Sequence, residues 1–180
     1  MSTDSDSIFS LPRLDSVGGR RRPGTEAIRV LVVHESRLVA EAFMYTIDSD
    51  PGLEAIGYAL EGCEGLELAA VLEPDVILAG PHLPGLDQSA FTRVAHVLWP
   101  RMRVVVLTKS LVPHEVEEIF ALGAADCLAE DRAADDLLTS IHTACARLAL
   151  FERTSRRTSA LEEAAVSADT SVNDGARTVR

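Results

Sequence analysis

From Ile28 onward the chain alternates short apolar runs with amphipathic stretches. Ile28–Val33 is apolar except for Arg29, the pattern of a strand buried on both faces. Ser36–Asp48 follows with Val39, Ala42, Phe43, Thr46 and Ile47 at helical spacing, and Pro51-Gly52 ends it. Leu53–Ala59 reads as a second strand and Glu61–Glu73 as a second helix, with Leu66, Ala69, Ala70 and Leu72 as its apolar side. Gly62 and Gly65 weaken the start of that helix, each by about 1 kcal/mol relative to Ala. Val76–Ala79 is a short third strand, and Gly80–Gly85 a loop with Pro81 and Pro84.

Asp87 is a natural N-cap for a helix over Gln88–Leu98, closed by Pro100, with Trp99 packing at its end. Arg103–Thr108 is the fourth strand. Pro113 opens a helix with Val116, Ile119, Phe120 and Leu122 as its buried stripe, and Gly123 stops it. Ala125–Ala129 is the fifth strand. Asp131 caps a last helix, Ala133–Leu150, whose apolar stripe is Leu137, Leu138, Ile141, Cys145 and Leu148. Five strands alternating with five helices predict an α/β domain with a parallel sheet covered on both faces. In such sheets ligands sit beyond the carboxyl ends of the strands, here Val33–Ser36, Ala79–Gly85, Thr108–Lys109 and Ala129–Asp131.

The flanking segments have no period. Residues 1–26 and 152–180 read as flexible tails around a domain at 27–151, with one short helical stretch over 160–167. Formal net charge is −11 over 180 residues. Each terminal segment, 1–26 and 151–180, carries equal numbers of acids and bases, so the excess lies entirely in the middle. So acidic a domain repels the phosphate backbone, which argues against direct nucleic-acid contact. No apolar run approaches the ~18 residues of a membrane span. The N-terminus does not have the order of a signal peptide, and Arg20-Arg21-Arg22 has no apolar segment after it; these point to the cytoplasm. Cys63, Cys127 and Cys145 are odd in number and widely spaced, and are expected as buried thiols rather than as a disulfide or zinc set.

The segments Arg29–Phe43, Pro74–Gly85, Val104–Thr108 and Ala121–Asp131 resemble, in order, response-regulator receiver domains. The likeness is strongest to the NarL/LuxR-type branch and covers about two-thirds of the chain. The resemblance implies a flavodoxin-like doubly wound sheet of strand order 2-1-3-4-5. It also implies a two-component signalling role. In a working receiver, two acids end the first strand and hold Mg²⁺, and an aspartate ending the third takes the phosphoryl group. A Thr or Ser ends the fourth strand and a Lys the fifth. Here the acids fall on His34 and Glu35, the acceptor on Gly80, and the Lys on Glu130; only Thr108 keeps its type. Glycine offers no nucleophile, and Glu130 places repulsion where a cation would neutralise phosphoryl oxygens. The chain is thus expected to be an atypical pseudo-receiver with no catalytic residue, no resident metal and no cofactor.

Three features could compensate. Lys109, the chain's single lysine, could lend an amine to the vacated pocket; a solvated residue or a partner to Glu130 is the blander reading. Asp87 could accept phosphate but reads first as a helix cap. His34, Glu35 and His82 could converge on a transition metal, though their spacing is no metal signature. His96, His114 and His142 are read as helix-surface residues without a special role. The expected function is a phosphorylation-independent regulatory module linked to transcriptional control, acting on a protein partner or a second copy through its first and last helices. The alternatives are a metabolite or metal sensor in the vacated pocket and a receiver phosphorylated elsewhere. After Leu150 too little chain remains for a DNA-binding unit, so a stand-alone receiver and a piece of a longer transcription factor are both open.

Overall fold

The computed structural model describes residues 27–132 and 134–147. The predicted tails, the 160–167 helix and Leu148 lie outside them. The chain divides into two compact units, Met1–Ala144 and Cys145–Arg180, and of the second only 145–147 are described.

The elements are β1 (Ile28–Val33), α1 (Arg37–Asp48), β2 (Leu53–Ala59), α2 (Gly62–Leu72), β3 (Val76–Ala79), α3 (Gln88–Leu98), β4 (Arg103–Thr108), α4 (Pro113–Ala121) and β5 (Asp126–Ala129). Residues 134–147 are helical and are called α5. All strand pairs are parallel, in the order β2-β1-β3-β4-β5. This is the flavodoxin-like topology, with β1 and β3 adjacent at the point where the winding reverses.

The apolar runs explain the placement. Val30–Val33, Val76–Ala79 and Val104–Leu107 form the three inner strands and are buried throughout. Alternate residues Leu31, Val33, Ile77, Ala79, Val104 and Val106 join Ala69 of α2 and Phe91 and Ala95 of α3 in one core. The intervening strand residues point to the other face by the period of two. They are equally buried, as are Ala40 and Ile47 of α1 and Leu137 and Ile141 of α5. Asp87 caps α3 by accepting the Ala90 N–H at 2.9 Å, and Gly123 sits at φ 100°, in the left-handed stop expected after α4.

Several expectations need correction. Gly62 and Gly65 do not weaken α2 against its surroundings; they let it approach. A Cβ on Gly62 would stand 2.8 Å from Leu86 Cβ, and one on Gly65 would stand 2.8 Å from Val33 Cγ2. On α1, Ala40 is buried and Ala42 exposed, because the apolar side is rotated from the stripe inferred. Ala70 of α2 and Phe120 of α4 are likewise exposed, and α4 buries no residue fully. Cys127 is buried, but Cys63 is exposed on α2. Trp99 packs partly buried against the core, as expected.

Candidate functional site

The carboxyl ends of β1, β3, β4 and β5 converge at one end of the sheet, and the residue after β1 dominates it. His34 continues the strand, its N–H donating to the Ala59 carbonyl at 2.9 Å. The residue is only 3% exposed. Both ring nitrogens are engaged. Nδ1 accepts the Ser36 backbone N–H at 3.0 Å, and Nε2 lies 2.7 Å from Glu130 Oε1. A nitrogen that accepts an N–H carries no proton, so the neutral ring is the Nε2–H tautomer, donating to the Glu130 carboxylate. Phe43 of α1 meets the imidazole edge to face, with centroids 6.2 Å apart.

β1 and β5 are three strand spacings apart, about 14 Å. The His34–Glu130 bond therefore passes over the ends of β3 and β4. Gly80, directly after β3, lies under it. A Cβ there would meet His34 Cδ2 at 2.7 Å, His34 Cγ at 3.2 Å and the Val33 carbonyl at 3.2 Å. Gly80 is not among the residues with positive φ. Glycine stands at this position because the imidazole occupies the space a side chain would need, not because the backbone demands it.

Gln88, the first residue of α3, ties the same strand ends together. Its Nε2 donates to the Gly80 carbonyl at 2.5 Å and the Leu107 carbonyl at 2.8 Å. Sequence reasoning passed over it; a polar residue just inside an N-cap beside a glycine-ended strand was the available signal. Thr108 is buried, and its hydroxyl donates to the Ser110 carbonyl at 3.0 Å, within the β4–α4 loop. Burial pushes the neighbouring Cys127 thiol above its usual range.

Of the inferred residues, His34 is bonded to Glu130 and its ring lies against Gly80. Lys109 is exposed, and Glu130 takes His34 rather than Lys109 as partner. Glu35 is half exposed and faces the exposed His82 at 3.8 Å. His34 turns to Glu130, so His34, Glu35 and His82 do not converge on a metal site. Among the described residues no group of three or more His, Cys, Asp or Glu side chains is placed to hold a metal ion. Nor do these residues fit Mg²⁺, which wants several hard oxygen ligands in octahedral geometry. Glu35 is the one carboxylate left at the end of β1, and Glu130 is bonded to His34. His142, read as a bystander, pairs with Asp50 at 3.0 Å and joins α5 to the α1–β2 turn. His96 is exposed, its ring filling the place of a Cβ on Gly123.

No protein-family model matches the chain. Among curated proteins it is 29% identical over 117 residues to the transcriptional regulatory protein LiaR of Bacillus subtilis, covering 65% of this chain and 56% of that one. It is 31% identical over 152 residues to a protein-glutamate methylesterase/protein-glutamine glutaminase of Symbiobacterium thermophilum, covering 78% of this chain and 40% of the other. The chain thus spans about half or less of these relatives' length. Among solved structures, the response regulator domain of Thermotoga maritima CheB matches with TM-score 0.62 and 27% identity, over 67% of this chain and 97% of that one. The receiver domain of Mycobacterium tuberculosis NarL matches with TM-score 0.63 and 23% identity, over the same shares. Strand order, helix placement and these likenesses agree: the described residues form a receiver domain of the response-regulator, CheY-like type.

Proposed function

We propose that this domain signals without phosphorylation, as a pseudo-receiver that acts by protein–protein contact. One observation carries the reading: the His34 imidazole, bonded to Glu130, lies where a side chain on residue 80 would have to be. A carboxylate nucleophile at the end of β3 is absent, the position of the usual lysine is acidic, and the metal ligands are reduced to Glu35. These changes support one another. The imidazole N–H satisfies the partly buried Glu130 carboxylate, and its ring fills the space that a side chain on residue 80 would take.

The contact surface proposed is the outer face of α1 with α5 beside it. Leu38 and Tyr45 are 78% and 82% exposed, and with Ala42 they form a stripe at helical spacing on the solvent side of α1. Large apolar side chains so exposed on one face suit a protein partner or a second copy. The likeness to LiaR supports a place in transcriptional control, and the acidity of the domain keeps DNA contact to other parts of such a system. Among the described residues no helix is long and apolar enough to cross a membrane. A metabolite sensor would need room beside Gly80, where even a methyl group overlaps His34.

Incubation with acetyl phosphate and Mg²⁺, read by intact mass, tests the first half of this reading. No added phosphoryl group is expected, whereas stoichiometric addition mapped to any carboxylate of the domain would overturn it. Sedimentation of the wild type against Leu38→Glu/Tyr45→Glu, with and without a crosslinked host extract, tests the second half. An unchanged size and an unchanged set of captured proteins would remove α1 as the contact surface.

A further inference from the structure

We infer that the outer face of α2 and α3 is a self-association surface, on which a second copy of this chain docks about a two-fold axis parallel to the two helices. This face is separate from the α1 contact proposed above. Ala69 of α2 and Phe91 and Ala95 of α3 pack on one side of the sheet with Leu31, Val33, Ile77 and Ala79, and α1 covers the other side. Large apolar side chains stand in solvent near the ends of both helices. Val71 of α2 is 78% exposed, and Val97 and Leu98 of α3 are 69% and 59% exposed. Apolar residues grouped in this way on neighbouring helices suit a protein surface.

Charge selects the occupant. α2 and α3 have 11 residues each, and as crossovers between parallel strands they run in the same direction, side by side. They are also level. A Cβ on Gly65 would stand 3.2 Å from the Phe91 ring, and each of these residues is the fourth of its helix. Glu67 and Arg93 therefore hold matching positions, each the sixth of its helix, and so do Val71 and Val97, each the tenth. Glu67 and Arg93 are exposed, and among the described residues neither forms an ion pair. Each charge stands four residues before its valine, on the same side of its helix. A two-fold axis running along and between the helices lays α2 of one copy on α3 of the other, pointing the same way. It sets Glu67 against Arg93 of the second copy and Val71 against that copy's Val97 and Leu98, and it makes both contacts twice. The other two-fold, across the helices, lays α2 on α2 and brings the exposed Glu64 and Glu67 against their own copies, where like charges repel. Acid on α2 and base on α3 thus fit a second copy of this chain in one orientation. The face is about 16 Å along the helices and about 20 Å across them, so the dimer is weak and reversible.

The test is sedimentation equilibrium of the full chain from about 1 μM to about 1 mM, the span in which weak contacts associate. A reversible dimer is expected, and salt should weaken it. Val71→Glu/Val97→Glu should raise the dissociation constant by roughly tenfold or more. Glu67→Arg alone and Arg93→Glu alone each set like charges across both halves of the seam and should each dissociate the dimer. An equimolar mixture of those two variants restores an opposite-charge pair in each half, so the dimer should return on mixing. All four positions are exposed, so the variants are expected to keep the wild-type urea midpoint. Leu38→Glu/Tyr45→Glu should leave this dimer intact; a dimer lost in that variant instead belongs to α1 and overturns the inference. A chain that stays monomeric over the whole range overturns it too, as does a dimer that Val71→Glu/Val97→Glu leaves unchanged. Two charge variants that remain monomeric when mixed do the same. None of these results touches the intact-mass result with acetyl phosphate or the proteins captured through α1.

Discussion

Adding a single methyl group at Gly80 probes the site most directly. In Gly80→Ala the new Cβ meets His34 Cδ2 at 2.7 Å and the Val33 carbonyl at 3.2 Å. The backbone tolerates alanine here, so the whole effect is steric. If the ring stays, the overlap costs about 1–3 kcal/mol, the range for an extra methyl in a packed interior. If the ring swings away, the charge-assisted bond to Glu130 is lost, at about 1.5–3 kcal/mol. The molecule takes the cheaper route, so a loss of about 2 kcal/mol is expected on either path. With a urea slope of about 1.5 kcal/mol per molar, the unfolding midpoint falls by roughly 1 M, with the slope itself unchanged. The informative step is the second background. Once His34→Ala has emptied the space, Gly80→Ala should cost nothing or stabilise, giving a coupling of about 2 kcal/mol in the double-mutant cycle. Equal losses in both backgrounds, or a loss below about 0.5 kcal/mol in the first, would mean that the imidazole does not occupy that space. By the same reasoning Gly80→Asp is expected to fold less stably and to remain unphosphorylated, because the carboxylate arrives beside Glu130 with no lysine to offset it.

Three further outcomes are expected. Gln88→Ala strands the carbonyls of Gly80 and Leu107 at the strand ends and should cost about 1–2 kcal/mol by urea unfolding, with a neutral result contradicting its role as a tie. The Asp50 carboxyl is held below the usual range, first by its hydrogen bond to His142 and then by the Gly52 amide. Its contribution is therefore complete above the ordinary carboxylate value of about 3.9 and fades as pH falls through the lower folded value. Asp50→Asn should flatten the fall of stability in that acid window, and parallel curves for wild type and variant would rule this out. Iodoacetamide at neutral pH should label exposed Cys63 well before Cys127, whose thiol burial pushes up; comparable rates in the native protein would show that Cys127 is not enclosed.

The elements were legible because their signals are local. Runs such as Val30–Val33 and Val104–Leu107 are too short and too uniformly apolar for anything but inner strands, and they lie where that pattern put them. Asp87 and Gly123 punctuate α3 and α4 through short-range bonding and backbone geometry, which a sequence displays directly. Alternation of strand and helix then leaves few topologies open, since parallel crossovers keep one hand. The glycine at position 80 and the acid at position 130 were equally visible. Helix faces were read less well: on α1 it is Ala40, not Ala42, that is buried, because alanine marks neither side strongly.

That residue 80 carries no side chain could be read from the sequence; what fills the space beside it could not. His34 and Glu130 are 96 positions apart. They meet only because the sheet order brings the ends of β1 and β5 to one edge, with β3 and β4 between them. A histidine in a loop carries no sign of which acid it will find, or of whether a neighbouring amide will claim its second nitrogen. The glycines show the same division: Gly62, Gly65 and Gly80 look alike in sequence, yet each is required by a different neighbour, Leu86, Val33 and His34. Periodicity decides which elements form and which faces are buried, because it acts over a few residues. Only the closed tertiary structure decides which side chains share a space, because that depends on packing between elements that the chain brings together once.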